Sequence, residues 1–521
     1  MHERILELSD VLAALPVKAV FGIPGSGLSL QLITALERHG VPFYGACHEG
    51  SAAVMAGAFG RQTGTLGCSI SIKGPGLANM LSGILTNYYE QLPTLSIAES
   101  LGPSAPLSRM HKRLDHEAAT AFCTKAYATL GDPRTTVARL AAHAWEEIPG
   151  SVHLDLCPDD TPRFVSHVEA SPGAPGRDGW SGARHLVEDA VRPVVIVGGL
   201  ARRRRWSQRL ADLHVPVFTT LLAKGVLDET LPWAAGVFTG DGKALSPEAR
   251  ILPEADLVVG LGLRNTEVLT ARPWGCPLVI MDVISGHTAE GFEAAQVIVT
   301  QADEIERILD MLSEHTWGRD LIAESRASLE RHLLRDEWSP GTLFMQLEHL
   351  LPTITCFVTD TGFFCTIAEH LWRARSSTAF FASANGRSMG NGLPTAIGVA
   401  LANRTRPTVC ALGDGGAQMY VGDLKLAVSE RLPILFILLT DGRYGSVAGV
   451  PAAQGLSPHA TTVLRPSWFK AVHALDCPAV QVHAIDQFAS AVNTWEWRNG
   501  PKYIEAVFDP ERYAKIVEGV R

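Results

Sequence analysis

The feature that most constrains the fold of this chain is an alternation of short apolar runs with longer amphipathic segments. Runs of strand length such as "KAVFG", "LGCSIS" and "TLSIA" end at glycine or polar turns and are separated by stretches of helical length. Buried strands that alternate with helices favour parallel sheets that are covered by helices. The sequence therefore predicts an α/β fold made of doubly wound parallel sheets.

The length of the chain and one polar linker predict three such units. A chain of 521 residues is too long for a single core. The Pro/Gly-rich stretch "EASPGAPGRDGWSG" (169–182) reads as a linker after the first block, and a charged segment over Glu304–Asp336, expected to be helical, precedes the third. We predict domains at residues 1–168, 183–310 and 335–521.

Composition and charge exclude several classes of function. A net charge of −9 provides no global positive field for nucleic acid, and the basic run Arg202–Arg205 is typical of a solvated helix start. The nine scattered cysteines contain no Cys-x-x-Cys pair, which argues against a disulfide framework or a zinc site. The amphipathic N-terminus is unlike a signal peptide, and no apolar run approaches the ~18 residues of a membrane span. We expect a cytoplasmic protein without membrane or nucleic-acid partners.

The stretch "CALGDGGAQMYVGDLKLAVSERLPILFILLTDGRYGS" (410–446) holds two acidic turns that bear on function. Between Asp414 and Asp441 we expect a helix over Met419–Glu430 and then the strand "PILFILL". Because the carboxyl ends of neighbouring parallel strands lie side by side, the two acids should converge. Two adjacent carboxylates favour a bound cation, and oxygen ligands suit Mg²⁺ or Ca²⁺ better than zinc.

The glycines around Asp414 extend this interpretation to a phosphate ligand. Mg²⁺ usually combines one or two carboxylates with phosphate oxygens. Gly413, Gly415 and Gly416 open the expected helix, where backbone N–H groups can hold phosphate. A lone Gly-Asp-Gly is more often a tight turn that caps a helix. The paired spacing of the two acids favours a diphosphate site instead.

This arrangement resembles the diphosphate-binding motif of thiamine diphosphate (ThDP) enzymes, which runs from Gly-Asp-Gly to an Asn-Asn pair just under thirty residues later. Here Thr440-Asp441 replaces that pair. The resemblance implies that Asp414 and Asp441 ligate Mg²⁺ through their side chains and Arg443 through its carbonyl. Tyr444 is near the diphosphate by its spacing, although a turn residue is the first interpretation, and Gly445 is also expected at the cofactor. An aspartate in place of the usual asparagine adds negative charge at the metal.

A second motif, "GACHEGSAAVMAGAFGRQTG", contains Glu49 between a strand and a helix of small residues. Local sequence alone leaves a helix-capping role open, since first-turn acids are frequent. The motif resembles the ThDP-enzyme segment whose glutamate bonds N1′ of the aminopyrimidine and so promotes loss of the C2 proton of the cofactor. The catalytic role of Glu49 is implied by this resemblance.

Further segments match the same family: "FGIPGSGLSLQL", "KGPGLANM" and "ANGRSMGNGLPTAIGVALA". By this resemblance Met389 supports the bent cofactor, although plain core packing is the commoner fate of a methionine. The remaining residues expected at the cofactor are Ser388, Pro24, Gly74 and Asn79.

The resemblance covers nearly the whole chain and is closest to the group of acetolactate synthases, benzoylformate decarboxylases and 2-oxo acid decarboxylases. It implies pyrimidine-binding, middle and diphosphate-binding domains in that order. It also implies a homodimer or homotetramer with active sites between subunits, and a flavin (FAD) that is possible but not expected. The implied reaction is ThDP- and Mg²⁺-dependent decarboxylation of a 2-oxo acid, carboligation to a second carbonyl compound, or both. A 2-hydroxyacyl-CoA-type lyase and an inactive cofactor-binding protein are the alternatives.

A few polar side chains are candidates for the substrate pocket. Ser26 and Gly27 could bind a carboxylate, and Lys73 supplies a cation before the Gly-Pro-Gly turn. The segment "SRMHKRLDHEAA" adds Arg109, His111 and His116, and the histidines suit proton transfer near neutral pH. For any one residue of this segment, a solvated helix start is an equally open interpretation.

Overall fold

The computed structural model of the chain confirms the α/β fold, with three helix-flanked sheets in succession. It describes residues 2–15, 17–101, 108, 111–157, 162–168, 180–264, 267, 269–270, 273–285, 292, 294, 296–463 and 467–520. The sheets occupy residues 20–166, 193–299 and 356–507. The exact domain limits given above stay a prediction.

The first sheet has seven strands in the order β2-β1-β3-β4-β6-β5-β7, and all pairs are parallel except β5 with β7. Its central strands are buried on both faces, as expected for a parallel sheet between helices. The strands are β1 (Val20–Ile23), β2 (Phe43–Gly45), β3 (Gly67–Ser71), β4 (Thr94–Glu99), β5 (Ala126–Thr129), β6 (Ser151–Leu156) and β7 (Phe164–Ser166). The helices are α1 (Glu3–Ala14), α2 (Leu28–Arg38), α3 (Glu49–Thr63), α4 (Pro75–Tyr89), α5 (His116–Thr120) and α6 (Pro133–Trp145).

The second sheet has six parallel strands in the order β10-β9-β8-β11-β12-β13. This is the order of dinucleotide-binding sheets, with the switch point between β8 and β11. The strands are β8 (Pro193–Val197), β9 (Val217–Thr219), β10 (Ala234–Val237), β11 (Leu257–Leu261), β12 (Leu278–Asp282) and β13 (Gln296–Val299). The helices are α7 (Trp180–Asp189), α8 (Leu200–Arg204), α9 (Ser207–Ala211), α10 (Pro247–Ile251), α11 (Ala302–Leu312) and α12 (Arg319–Leu333).

The third sheet has six parallel strands in the order β15-β14-β16-β17-β19-β18, which repeats the order of the first six strands of the first sheet. The strands are β14 (Cys356–Thr359), β15 (Phe380–Phe381), β16 (Thr408–Gly413), β17 (Ile434–Thr440), β18 (Ala479–Val482) and β19 (Lys502–Val507). The helices are α13 (Pro340–Leu350), α14 (Phe363–Leu371), α15 (Gly392–Ala402), α16 (Asp414–Tyr420), α17 (Leu424–Ser429), α18 (Gly445–Gln454), α19 (Trp468–His473), α20 (Ile485–Asn493) and α21 (Pro510–Lys515).

The first and third domains share one hydrophobic core. Ala52, Met55 and Phe59 of α3 lie in the same buried cluster as Leu393 and Ile397 of α15. The helices approach closely because small residues line them. A methyl group added at Gly398 would lie 2.4 Å from the Met55 carbonyl oxygen. This packing fixes the two domains against each other.

Two of the helices predicted from the sequence are interrupted. The helix expected over Met419–Glu430 begins earlier, at Asp414, and is divided by a 3₁₀ turn at Val421–Asp423. The segment Glu304–Asp336 forms α11 and α12, which are separated near Gly318 at φ +86° and by a bridge between Thr316 and His214. Only Gly adopts such a φ readily, so a helix break belongs there.

The basic run Arg202–Arg205 is only partly solvated, so that prediction was wrong in part. Arg204 and Arg205 are exposed, but the Arg203 side chain is 15% exposed and pairs with Glu147 of the first domain. Within the described residues, no helix is both long and apolar enough to cross a membrane.

Candidate active site

The two acidic turns lie side by side at the carboxyl ends of β16 and β17. These strands are paired so that Gly413 faces Leu439, which brings Asp414 next to Thr440 and Asp441. Asp414 Oδ1 accepts a hydrogen bond from Thr440 Oγ1 at 2.6 Å. Its Oδ2 accepts from the backbone N–H of Asp441 at 2.9 Å and of Gly442 at 2.7 Å. The structure thus brings together the two acids that the sequence predicted would converge.

Because Gly415, the residue after Asp414, has no side chain, the side chains of Tyr444 and Met389 can pack against it. A methyl group at Gly415 would lie 2.5 Å from Tyr444 Cε1 and 2.7 Å from Met389 Sδ. Glycine is therefore required where Met389 and Tyr444 cover the start of α16. The predicted cofactor residues Met389, Tyr444 and Gly415 meet at one point.

A third acid, Asp360, lies on the other side of the same helix start. A methyl group at Gly416 would lie 1.9 Å from Asp360 Oδ2, and the Gly390 N–H donates to both Asp360 oxygens at 3.0 and 2.9 Å. Burial raises the pKa of Asp360 to about 6, although the backbone N–H groups that donate to it act in the opposite direction. Asp360 holds the Met389–Gly390 turn against the Gly-Asp-Gly turn.

The donor set at these turns fits a hard divalent cation. Asp414 and Asp441 are 6% and 7% exposed, and within the described residues no lysine or arginine forms an ion pair with Asp414. Burying a carboxylate without a cation costs free energy. A carboxylate can accept about four hydrogen bonds, and Asp414 accepts three, so one acceptor position is left for a metal ion. Only oxygen ligands are present, which suits Mg²⁺ or Ca²⁺. The guanidinium of Arg443 pairs with Glu511 at 2.8 Å, so the side chain of Arg443 points to that partner.

The loop that leads to Met389 is anchored on the first domain. Glu90, which follows α4, accepts hydrogen bonds from the backbone N–H of Ala384, Asn385 and Gly386 and from Ser383 Oγ. Ser383 Oγ in turn accepts from the N–H of Ser388 at 3.0 Å. One buried carboxylate of the first domain therefore shapes a loop of the third.

Glu49 is the first residue of α3 and is 7% exposed. Its Oε2 accepts a hydrogen bond from Asn79 Nδ2 at 3.0 Å, and a methyl group at Gly76 would lie 3.4 Å from Oε1. The preceding turn is held from the third domain, because Asp423 Oδ1 accepts from the Cys47 N–H at 2.7 Å. The structure thus gives Glu49 a fixed position and brings it together with the predicted residue Asn79.

The first turn of the chain packs around a different acid, Glu99. Pro24 and Ser26 are exposed, while a methyl group at Gly27 would lie 2.9 Å from Glu99 Oε2. Glu99 also accepts from Ser29 and pairs with Lys73 at 3.4 Å. Burial alone would raise the pKa of Glu99, but Ser29 and Lys73 together lower it. Lys73 is thus paired with an acid of its own domain.

His116 is buried in a polar network. Its Nε2 accepts from the N–H of Gly74 at 3.2 Å, and its Nδ1 lies 2.6 Å from Asp155 Oδ1. His153 and Tyr127 also bond Asp155. Burial would raise the pKa of Asp155, but the bonds from the two histidines hold it well below its usual range. Both ring nitrogens of His116 therefore form hydrogen bonds, one of them with the Gly74 turn.

The remaining predicted residues are scattered. His111 is exposed in a turn. Arg109 lies outside the described residues. Gly445 starts α18, and a methyl group there would lie 3.5 Å from Asp441 Oδ2.

Sequence reasoning missed the roles of Asp360, Glu90, Glu99 and Asp423. Asp360 stands at the end of a strand in "VTDTG", which is the same signal that pointed to Asp414. The other three bind backbone N–H groups or side chains that are distant in the sequence, so no local pattern marks them.

The crevice of the middle sheet is occupied by its own side chains. At the switch point between β8 and β11, the carboxylate of Glu267 accepts from the N–H of Gly199 at 2.8 Å. Burial raises the pKa of Glu267. Arg264, 1% exposed, bonds Asp282 at 2.6 and 2.5 Å and Glu147 at 2.6 Å. Among the described residues, the N–H that would meet a phosphate therefore already has an acceptor.

Comparison with known proteins gives matches along the chain. Three family models for thiamine pyrophosphate enzymes match: the N-terminal TPP binding domain at residues 7–119, the central domain at 181–305 and the C-terminal TPP binding domain at 360–506. Thiamine pyrophosphate is another name for thiamine diphosphate.

Curated relatives match over most of their length. A probable 2-ketoarginine decarboxylase of Pseudomonas aeruginosa is 26% identical over 96% of this chain and 92% of its own. The acetolactate synthase isozyme 2 large subunit of Escherichia coli is 25% identical over 96% and 94%. An acetolactate synthase of Arthrospira platensis is 25% identical over 84% and 82%.

Proposed function

This chain belongs to the thiamine diphosphate-dependent enzymes, and on that premise we propose that it acts on a 2-oxo acid with the help of ThDP and Mg²⁺. The bound cofactor supplies a nucleophilic carbon and an electron sink for loss of CO₂. The observation that carries the proposal is the pair of adjoining acidic turns, Asp414 and Asp441, at the start of a glycine-lined helix.

The third domain would hold the metal and the diphosphate. The carboxylates of Asp414 and Asp441 and the carbonyl of Arg443 would ligate Mg²⁺. The N–H groups of Gly413, Gly415 and Gly416 would face the diphosphate, since a helix start favours anions. Met389 and Ser388 would border the cofactor from the loop that Glu90 anchors, and Tyr444 would border it from the turn before α18.

Glu49 would hold the aminopyrimidine through a hydrogen bond at N1′. The bond from Asn79 Nδ2 to Oε2 fixes the orientation of the carboxyl group, and Oε1 is left beside Gly76. So placed, Glu49 would share a proton with N1′ of the aminopyrimidine and so support proton transfer by the cofactor. His116 orients the Gly74 turn near this position through its bond from the Gly74 N–H, while His111 remains a candidate for proton transfer.

The relatives named as decarboxylase and as acetolactate synthase support two outcomes after loss of CO₂. If the fragment left after loss of CO₂ takes up a proton, the product is an aldehyde. If that fragment adds to a second carbonyl compound, the product is a carboligation product. We propose that both are open to this chain. Following CO₂ release and product identity with and without an added aldehyde or 2-oxo acid would separate them.

The middle domain argues against a 2-hydroxyacyl-CoA-type lyase, which would need a nucleotide site. In the described part of that domain, Glu267 accepts a hydrogen bond from the N–H of Gly199. Arg264 donates hydrogen bonds to Asp282 and Glu147. We propose on this ground that the crevice takes neither CoA nor a flavin.

We also propose that two copies complete each site. Glu49 and the acidic turns belong to different domains, and within the described residues of one chain no hydrogen bond or ion pair joins Glu49 to Asp414 or Asp441. An active site between subunits would bring such groups together. Whether the assembly is a dimer or a tetramer is measured directly by sedimentation.

The experiment that tests the function is exchange of the C2 proton of ThDP bound to the protein with Mg²⁺, followed by NMR. We expect fast exchange in the wild type and a loss of roughly a hundredfold or more in Glu49→Gln, the usual size of a proton-transfer contribution. Glu3→Gln is the matched control, because Glu3 is also the first residue of a helix but is exposed. Background exchange in the wild type would reject catalysis and leave a cofactor-binding protein.

A further inference from the structure

Arg387 is a cation at the candidate site, and it also borders a small second cavity that Glu267 and Glu369 line. It lies in the loop anchored by Glu90, directly before Ser388 and Met389. Its side chain is half-buried, its Nε is buried without a hydrogen-bond partner, and within the described residues it forms no ion pair. A buried donor without an acceptor costs free energy, and a bound anion would remove that cost.

The backbone of Arg387 is held in an unusual conformation. Its φ of +46° lies in the left-handed region, where residues other than glycine are uncommon. Such residues concentrate at ligand-binding positions, because the surrounding structure must impose them. Here the neighbouring N–H groups are fixed by Glu90 and Ser383.

The side chain lines an open cavity of ≈ 300 Å³ next to the acidic turns. Thr361, Thr366 and Ser446 add hydroxyl groups to this cavity, and Phe363 adds an apolar wall. Thr361 Oγ1 donates to the Ser388 carbonyl at 3.1 Å. A methyl group at Gly445 would touch both Phe363 at 3.3 Å and Asp441 Oδ2 at 3.5 Å. The cavity therefore adjoins the proposed cofactor site and has the volume of a small ligand.

Two other cations near the site are already paired. Lys73 pairs with Glu99, and Arg443 pairs with Glu511. Arg387 is thus the arginine of this cavity whose guanidinium is available for a carboxylate, and the planar group favours two parallel hydrogen bonds.

We propose that Arg387 binds an acid group at the far end of the substrate, so that the enzyme prefers 2-oxo acids with a second carboxylate. This inference rests on the proposed function and adds the substrate class. The other anion that Arg387 could bind is the diphosphate of the cofactor. The substrate is favoured, because the glycine N–H groups and a cation at Asp414 would serve the diphosphate.

The test compares acids of matched length with and without the second carboxylate: 2-oxoglutarate against 2-oxopentanoate, and oxaloacetate against 2-oxobutanoate. The measured quantity is kcat/KM for wild type, Arg387→Gln and Arg387→Lys. We expect Arg387→Gln to lose roughly 10- to 100-fold on the diacids, as for a lost charged hydrogen bond, with little change on the monoacids. Arg387→Lys should keep part of the preference.

Arg431→Gln is the matched control, since Arg431 also has a positive φ, +48°, but is exposed. It should behave as wild type. Calorimetric titration of each apo-protein with Mg²⁺–ThDP and with Mg²⁺–pyrophosphate provides a second readout. We expect Arg387→Gln to bind both as wild type does.

Two results would overturn the proposal. One is a wild type that shows C2 exchange but no preference for diacids. The other is an Arg387→Gln variant that binds Mg²⁺–ThDP and pyrophosphate more weakly and loses activity on all acids equally, which would assign the arginine to the cofactor. Absence of C2 exchange in the wild type would instead defeat the proposed function.

Discussion

At the scale of single residues, the charge at the proposed metal site depends on Asp441. Both oxygens of Asp414 accept hydrogen bonds, from the last residue of β17 and from the turn that follows it. Asp441 accepts the N–H of Arg443 at 3.1 Å and is buried. Two ionised carboxylates bind a divalent cation more strongly than one carboxylate with one amide.

We predict that Asp441→Asn weakens Mg²⁺ binding roughly tenfold, about 1.4 kcal/mol, because one negative charge leaves the donor set. The measurement is the Mg²⁺ concentration that half-saturates ThDP binding. Asp303→Asn, an exposed acid in the first turn of α11, is the control. Equal or tighter Mg²⁺ binding in Asp441→Asn would contradict the prediction.

The sequence located the two acids because both follow strands whose apolar runs are easy to recognise. Parallel pairing then brings strand ends together without further information. The sequence could not locate Glu90 or suggest the role proposed for Arg387, since both depend on a loop that a distant domain shapes. The sequence shows that Lys73 is a cation, but it does not show that Lys73 forms an ion pair with Glu99.

At the scale of elements, the loop between β15 and α15 is the part of the site least supported by regular structure. It receives its shape from Glu90, from Asp360 and from the bond between Asn391 Nδ2 and Thr86 Oγ1 at 3.0 Å. A substitution of Glu90 or Thr86 in the first domain should therefore shift Ser388 and Met389.

We predict that Glu90→Gln loosens this loop, because an amide nitrogen would then face backbone N–H donors. The expected cost is roughly 2–3 kcal/mol, as for hydrogen bonds to a charged group. Hydrogen–deuterium exchange of residues 380–392 should become faster, and the thermal midpoint should fall. The exposed Glu337→Gln is the control, and unchanged exchange in 380–392 would reject the anchoring role.

Strand prediction succeeded where burial was continuous, and two edge strands were not predicted. Strands such as β17, with seven buried residues, have an apolar run that stands out. Edge strands such as β15, of two residues, and β13, which is partly exposed, lack that signal. The break between α16 and α17 lies where Asp423 accepts the N–H of Cys47, a contact that local sequence does not contain.

At the scale of the whole molecule, two domains of the same strand order hold the groups that we propose form the site. The first holds Glu49 and the third holds the acidic turns. The middle domain is fastened to the first through Glu147, which bonds Arg203 and Arg264. Burial alone would raise the pKa of Glu147, but the two arginines lower it to about 2.

We predict that Glu147→Gln destabilises the protein by about 3 kcal/mol at pH 7, the value of a pKa shift from 4.5 to about 2. A lowered pKa stabilises the folded state above pH 4.5, and this stabilisation is lost as the pH falls toward 2. The thermal midpoints of wild type and variant should therefore converge over that window. Glu146→Gln, whose side chain is 63% exposed, is the control. A constant difference across that pH range would contradict the prediction.

The core shared by α3 and α15 also affects how the chain folds as it is made. Helix α15 begins roughly 330 residues after α3 ends. Ribosomes add about 5–20 residues per second, so α3 waits on the order of 15–60 s for its partner. During that time Met55 and Phe59 have no third-domain surface to cover them. We expect a chain released before residue 392 to bind a hydrophobic dye that the finished protein does not, and nascent chains of this length to depend on chaperones.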